Sequence, residues 1–375
     1  MAVETYSVKP LGDVLRFKNG KSIKPETEGE FPAYGSNGLI GGSPEYREEN
    51  TIIIGRVGAY CGSVAFCPGK FWASDNTIVA YPKDDAFDIR FLSYLLRDLN
   101  LNRWAGGAAQ PLLTQTVLKQ IEAPVPELRV QQKIAAILSA YDDLIENNLR
   151  RIKILEEMAR NLYREWFVKF RFPCHAKVRM VDSPLGKIPE GWEVVTLGEL
   201  VNIPKGENIT KKTIVPGDVP VVAGGIAPAY YHNAANTRNP VITISASGAN
   251  AGFVNLYYHD VWASDCSVID LSATKHVYYF YLLLKDRQYE VTRLQRGAAQ
   301  PHVYPKDLMA LDALSVPEEI LEFFARKIGP IFKMIKNMKE KNKNLHQTRD
   351  LLLPKLISGE LDISELEIDT GKEAA

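Results

Sequence analysis

Trp72-Ala73-Ser74-Asp75, inside FWASDNTIVA (71–80), returns as Trp262-Ala263-Ser264-Asp265 inside VWASDCSVID (261–270). With five tryptophans in 375 residues, and matching apolar neighbours on both sides, chance is a poor explanation. Laid on itself at that offset, the chain matches further. IGRVGAYCGSVAF from Ile54 faces ISASGANAGFVNL from Ile244, and GAAQP from Gly107 faces GAAQP from Gly297. Toward the N-terminus the register slips but persists, SVKPLGDVLRFKNGKSI against EVVTLGELVNIPKGENI, which pairs Leu11 with Leu197. The slip calls for a short insertion in the second copy, most simply in the polar loop TKKTIVPGD (210–218). Two copies account for nearly the whole chain. A period this long is a duplicated domain, not a solenoid of units of roughly 20–50 residues.

Composition is that of an ordinary soluble protein, 24% charged and 46% hydrophobic, enough for buried cores in two domains. An apolar run of about 18 residues is lacking, and MAVETYSVKP is not a basic start followed by an apolar stretch, so neither a membrane span nor a signal peptide is expected and the reading is cytoplasmic. Cys61, Cys67, Cys174 and Cys266 form no CxxC pair and the histidines no HxxxH, which removes support for structural zinc and leaves reduced thiols. Forty-five basic residues balance forty-five acidic ones. A polyanion partner then depends on local fields, since the sum supplies none.

Each copy has two parts. The first (1–125 and 193–316) is rich in Gly, Pro, aromatics and short β-branched runs such as NTIIIG, NTIVAYP, PVITIS and SVIDL, which read as strands joined by turns. FDIRFLSYLLRDL and KHVYYFYLLLKDR are helical patches within it, so the domain is mixed α/β (α+β) with a strong β component. The second part (126–170 and 317–358) is helix. Ile134, Ile137, Tyr141, Leu144, Ile152, Leu155, Met158, Leu162 and Trp166 mark an apolar seam in one; Ile320, Phe324, Ile328, Ile331, Ile335, Met338, Leu345 and Leu352 mark one in the other. Both open on Pro-Glu, which suits a first helical turn. Pro173 is expected to end the first, and Pro354 to kink or stop the second before Gly359. At 1.5 Å per residue, roughly 40 residues make a rod of about 60 Å. The simplest cover for one rod is the other, antiparallel, which predicts a pseudo-twofold dumbbell crossed by a Pro-rich connector (171–192) and followed by a short C-terminal tail (359–375).

This order of domain, long helix, domain, long helix resembles the specificity subunit of type I restriction-modification systems. FPAYGSNGLIGG, IGRVGAYCG, WASDNT, GAAQPLLTQTVLKQIEAPVPE running into VQQKIAAIL, and PLGKIPEGW are similar to that family's marks, and as an ordered set they cover nearly the whole chain. The resemblance implies two target recognition domains that each read one half of a split double-stranded DNA sequence. It also implies helices that serve as ruler and docking surface for two methyltransferase subunits, and a restriction/translocase subunit in the complete assembly. The second copy departs from the pattern, with VPVVAGGIAP in place of the YGSNG loop and ISASGA in place of GRVGA.

Two other functional classes compete with this reading. A DNA-modifying enzyme of the adenine methyltransferase kind needs an Asp/Asn-Pro-Pro-aromatic motif, and the chain has no Pro-Pro. Gly20-Lys21-Ser22 is not a P-loop, because Leu15 stands where a Walker motif needs glycine and the second copy has Gly206-Glu207-Asn208. No Ser/His/Asp arrangement recurs in both copies, so no catalytic residue, cofactor or metal site is assigned. A coiled-coil adaptor without a DNA role fits the physics as well, and the resemblance decides against it.

Comparing the copies separates framework from readout. Shared positions (Gly58 and Gly248, Gly62 and Gly252, Trp72 and Trp262, Asp75 and Asp265) are expected to serve the fold, the tryptophans by filling cores. Gln110 and Gln300 are divided between capping local backbone and touching DNA. Positions that differ in equivalent loops are candidates for reading bases: Arg56 faces Ala246 and Tyr60 faces Asn250, and Arg binds guanine, Asn adenine, through paired hydrogen bonds. A phosphate contact is the equal alternative for Arg56. Lys18, Lys21, Lys24, Lys205, Lys211 and Lys212 are candidates for phosphate. Tyr34, Ser36, Asn37, Arg103, Asn208, Ser247, Arg293, Arg296 and His302 complete the DNA-binding set. Lys336, Lys339 and Lys343 are read as a solvated helix face.

Overall fold

The computed structural model describes residues 6–107, 110–297 and 300–370; the two Ala-Ala pairs of the GAAQP stretches lie outside the described residues. The chain divides into two compact units, one of residues 1–148 and 341–375, the other of residues 149–340.

In the first unit, β1 (Tyr6–Pro10) pairs antiparallel with β8 (Glu122–Pro126), which brings the start of the domain beside the start of the first long helix. Between them lie β2 (Leu15–Asn19), β3 (Phe31–Gly35), β4 (Gly38–Ser43), β5 (Glu48–Gly55), β6 (Val64–Ala73) and β7 (Thr77–Pro82), in one sheet ordered β2-β7-β5-β6-β3-β4. The run NTIIIG is continuous because the sheet is covered on both faces. Ile52 and Ile54 point into the main core with Ile78, Phe91, Leu92 and Leu95, while Ile53 points the other way onto Cys67, Phe71 and Val79. The helix Ile89–Asp98 supplies much of the first face and is capped by Asp88, whose carboxylate accepts from the N–H groups of Arg90 and Phe91 at 2.9 and 3.1 Å.

In the second unit a hairpin, β9 (Met180–Ser183) and β10 (Gly186–Pro189), precedes the domain. β11 (Glu193–Thr196) then pairs with β18 (Asp312–Ser315) as β1 does with β8. The sheet of the first unit is here two: β15 (Val254–Tyr257), β14 (Val241–Ser245) and β17 (Cys266–Ile269) form one, β13 (Tyr230–His232), β12 (Val219–Val222) and β16 (Trp262–Ala263) the other. The strand equivalent to β6 is broken between β15 and β16. At the break, Asp260 Oδ1 accepts from both the N–H and the side-chain amide of Asn239 at 2.7 Å, whereas in the first unit β5 and β6 continue their ladder as far as Glu48 and Phe71.

The long helices run Leu128–Tyr163 and Glu318–Ser358. Pro126 belongs to β8, so the first helix starts two residues after the Pro-Glu pair opens. It ends before Pro173: a π-turn over Arg164–Val168 is followed by Phe170 at φ +57, with the N–H of Arg171 reaching back to the carbonyl of Glu165 at 2.7 Å. Pro354 does not stop the second helix, which passes through it and ends at Ser358 against Gly359 at φ +76.

The two helices pair antiparallel inside each unit. In the first, Val130, Ile134 and Leu138 pack with Leu356 and Ile357, and Asn148 Nδ2 donates to Asn342 Oδ1 at 2.8 Å. In the second, Ile152, Leu155 and Ala159 share a core with Phe324, Ile328, Phe332, Ile335 and Met338, and Trp166 and Phe167 pack on Phe324 with ring centroids 5.4 and 4.8 Å apart. Buried residues recur every seven positions along the first helix and into the π-turn that follows it, at Leu138, Ile145, Ile152, Ala159 and Trp166. Leu144 and Met158, read from the sequence as seam residues, are 54% and 51% exposed. Lys339 is engaged: its ammonium lies 3.6 Å from Glu156 and over the ring of Tyr258.

Asp142 anchors the first domain to both helices, accepting from Tyr94 Oη at 2.7 Å and from Arg349 Nη1 at 2.5 Å, with Arg97 at 3.5 Å. Burial alone would raise its carboxyl, but the hydrogen bonds from Tyr94 and Arg349 and the nearby guanidinium charges outweigh that and hold it below the usual carboxylate range. A carboxylate with a depressed folded pKa stabilises the fold above its unfolded value, near 3.9, and that contribution is lost as pH falls through the folded value. Asp142→Asn is therefore expected to flatten the acid side of the stability–pH curve below about pH 4, read as melting temperature against pH.

Candidate nucleic-acid interface

In each unit, loops from distant parts of the sequence are gathered by backbone hydrogen bonds at one end of the central strands. β5 ends at Gly55, and the chain turns through a 3-10 turn at Gly58–Tyr60 and returns to β6, closed by Gly62 N–H to Gly55 O and Gly55 N–H to Ser63 O, both 2.8 Å. Gly58 (φ +75) would place a Cβ in open space and is required for its dihedral alone. Gly62 (φ +86) is required twice over, since a Cβ there would sit 2.3 Å from Asn102 N. Gly248 (φ +78) and Gly252 (φ +84) take the same dihedrals in the second unit.

Beside that turn hangs a hairpin closed by Gly106 and Leu112, which exchange backbone hydrogen bonds of 3.0 and 2.8 Å. Gln110 lies in it and is exposed. The N–H of Gly58 donates to Pro111 O at 3.0 Å, and the N–H of Leu113 to Arg56 O at 2.9 Å. The second unit matches: Arg296 and His302 exchange two bonds of 2.9 Å, Gly248 N–H donates to Pro301 O at 3.0 Å, and Val303 N–H to Ala246 O at 3.0 Å. Gln300 is exposed there as Gln110 is in the first.

The WASD turns close the assembly. Both tryptophans are half-buried, and both donate their indole N–H to a loop carbonyl, Trp72 to Lys21 O and Trp262 to Glu207 O, each at 2.9 Å. They clamp the loops after β2 and after Val201–Lys205; the expectation that they fill cores is corrected, because an indole with an apolar body and one donor suits a half-buried tether. The pairing of Lys21 with Glu207 agrees with the slipped register. β3 and β12 meet β6 and β16 in parallel as Ala33 opposite Trp72 and Val221 opposite Trp262. Only part of the insertion therefore lies in 210–218, the rest falling after β12. Ser36 Oγ donates to Asn76 O at 2.5 Å and Ser63 Oγ to Ser36 O at 2.8 Å, bringing the YGSNG turn into the same group. In the second unit the hydroxyl of Ser247 meets the carboxylate of Asp265.

The structure thus places Ser36, Asn37, Arg56, Tyr60 and Gln110 on neighbouring loops. Tyr60 is 59% exposed, and Arg56 Nη1 reaches Asp75 O at 3.4 Å. Arg103 stacks on Trp104 in the turn that abuts Gly62, and Lys21 and Lys24 are exposed on the clamped loop. Lys18 is held by Glu48 at 2.9 Å, a carboxylate also contacted by Tyr81. Tyr34 packs edge-on against Phe71, its hydroxyl pushed to higher pKa by burial and by Cys67. In the second unit Ser247, Asn250, Arg296, Gln300 and His302 share the corresponding loops. Lys205 lies 3.9 Å from Asp265, Lys211 over Tyr230, and Arg293 over Tyr289, while Asn208 and Lys212 are exposed.

Sequence reasoning did not single out Trp104, 41% exposed beside Arg103, or Tyr304, 44% exposed and stacked on His302. The signal for Tyr304 was available: it occupies the place of Thr114, whose hydroxyl caps the helix Gln115–Gln120, so the second copy exchanges a cap for an exposed ring. Among the described residues no cluster of His, Cys, Asp or Glu could hold a metal ion, and no helix is long and apolar enough to cross a membrane.

The model of the type I restriction modification DNA specificity domain matches the chain twice, over residues 3–157 and 189–346. The chain belongs to the type I restriction-modification specificity subunit family. The type I restriction enzyme MjaIX specificity subunit of Methanocaldococcus jannaschii is 30% identical over 331 residues, 81% of this chain and 76% of that protein. A putative type I specificity subunit of Mycoplasma pneumoniae, S.MpnORF638P, is 26% identical over 378 residues, 94% of this chain and 96% of the other. The crystal structure of a type I restriction-modification S subunit from M. genitalium has the same fold, with a TM-score of 0.63 at 19% identity over 94% of this chain and 96% of that one. The duplicated mixed α/β domain with its two long helices is thus the fold of type I specificity subunits, and DNA recognition is the role of this family.

Proposed function

We propose that the two domains read two different short words of one DNA duplex, giving an asymmetric, bipartite target, and that the chain itself makes no covalent change to DNA. The observation that carries this is the repetition of a framework with its loop side chains exchanged. Gly58 and Gly248 make the same 3.0 Å bond to the same proline of the neighbouring hairpin, whereas the loops they hold present Arg56 against Ala246, Tyr60 against Asn250 and Leu112 against His302. Side chains of different hydrogen-bonding type on one scaffold read different base edges. The long helices act as spacer and as the docking surface for methyltransferase subunits, two by the duplication, with a restriction/translocase subunit joining the assembly in the cytoplasm. The candidate lysines of both loop groups position the duplex through its phosphates.

The test is methyl transfer from S-adenosylmethionine to a DNA carrying the target. The chain alone is expected to give none, methyltransferase subunits alone none at the target, and the two together methylation confined to sites with both words. Methylation by the chain alone, or an unchanged pattern without it, would overturn the reading.

A further inference from the structure

In the second domain, Arg296 Nη2 donates to Asp307 Oδ1 at 2.6 Å, with the arginine side chain 63% exposed and the aspartate 10%. The backbone of Arg296 is locked by its two hydrogen bonds to His302. Asp307 Oδ2 is buried and has no hydrogen-bond partner among the described residues. The equivalent positions in the first domain are Gly106, locked to Leu112 by the same two bonds, and Val117. The shared framework therefore stands without either member of the pair. A largely buried carboxylate is costly unless something offsets it, and among the described residues its side-chain partner is an exposed guanidinium on a recognition loop.

We propose that Arg296 reads a guanine in the second word and that Asp307 is the positioning residue that aims it. This rests on the two-word reading of the chain. Guanidinium is a planar fork whose N–H donors match O6 and N7 of guanine in the major groove. Asp307 occupies one donor, leaves the others free, and removes in advance the rotamer freedom that a long side chain would lose on binding. The carboxylate also decides between base and backbone. A negative charge beside the guanidinium weakens its pull on a phosphate, whereas guanine offers neutral acceptors.

The experiment is methylated-base sequencing of host genomes carrying Arg296→Ala, Asp307→Asn or Asp307→Glu in the full chain with its native partners, beside the melting temperature of each purified chain. Arg296→Ala is expected to relax one G·C position of the second word, raising methylation at sites altered there by roughly tenfold to a hundredfold relative to intact sites. Asp307→Asn should relax the same position less, Asp307→Glu should restore part of the discrimination, and the first word and the melting temperature should not move. A second word without guanine, uniform loss of methylation with no position relaxed, relaxation of the first word, or a lowered melting temperature with discrimination intact would each overturn the proposal. If deleting the gene left methylation unchanged, the two-word reading itself would fail. If deletion erased it while Arg296→Ala kept both words, the guanine assignment alone would fail.

Discussion

Phe324→Ala is expected to lower the unfolding free energy by about 3–5 kcal/mol. Phe324 is 1% exposed and stands where the two long helices and the aromatic end of the first helix meet. Its ring lies edge-on to Phe167 and tilted against Trp166, and the surrounding core holds Ile328 and Phe332 on the same helix. Truncation removes the transfer free energy of the ring and leaves a void. Trp166 and Phe167 are also packed against Phe323 and Trp192, so they cannot collapse to fill it. Chemical denaturation measures this as a fall in midpoint at constant slope. A loss under about 1 kcal/mol would mean that the helical pair in this unit is held by something other than its aromatic core.

Gly62→Ala is expected to cost about 3 kcal/mol, and Gly58→Ala in the same turn only about 1–2 kcal/mol. Both glycines have positive φ and both alanines carry that penalty. Only at Gly62 does the new Cβ also strike backbone, 2.3 Å from Asn102 N and 2.8 Å from Leu101 C, where no side chain can swing aside. Relief requires moving the turn Leu101–Trp104 away from the loop that carries Arg56 and Tyr60. The substitution should therefore impair recognition of the first word while leaving the second intact. Equal losses for the two alanines in thermal denaturation would show that the turn yields.

The duplication was legible because four letters that include a tryptophan recur with their neighbours, and the tether each indole makes explains why that residue recurs. The slip that pairs Leu11 with Leu197 was legible too, and Trp262 clamps Glu207 in the register it implies. Other features exceeded what one sequence carries. Steps of three and four admitted Leu144 and Met158 to the seam, since both lie near its edge on a helical wheel and only the partner helix decides which side is covered. Pro354 is expected from sequence to kink or stop the helix; the helix does not stop there but passes through it, with Leu356 and Ile357 beyond it packed in the core of the first unit. The division of the second sheet is accompanied by a contact between Asn239 and Asp260, far apart in sequence and unremarkable in each. The gathering of the loops was beyond reach for the same reason: the bonds from Gly58 to Pro111 and from Gly248 to Pro301 are made by backbone, which no residue type announces. The pair Arg296–Asp307 was half visible, the arginine as a candidate and its aspartate not at all.

The most direct measurement of the central claim is methylated-base sequencing of a host genome with this gene intact and with it deleted. Two different readers on one framework predict a non-palindromic methylated target of two short words separated by an unread interval, present with the gene and absent without it. A single contiguous palindrome, or the same methylated sites after deletion, would contradict the account.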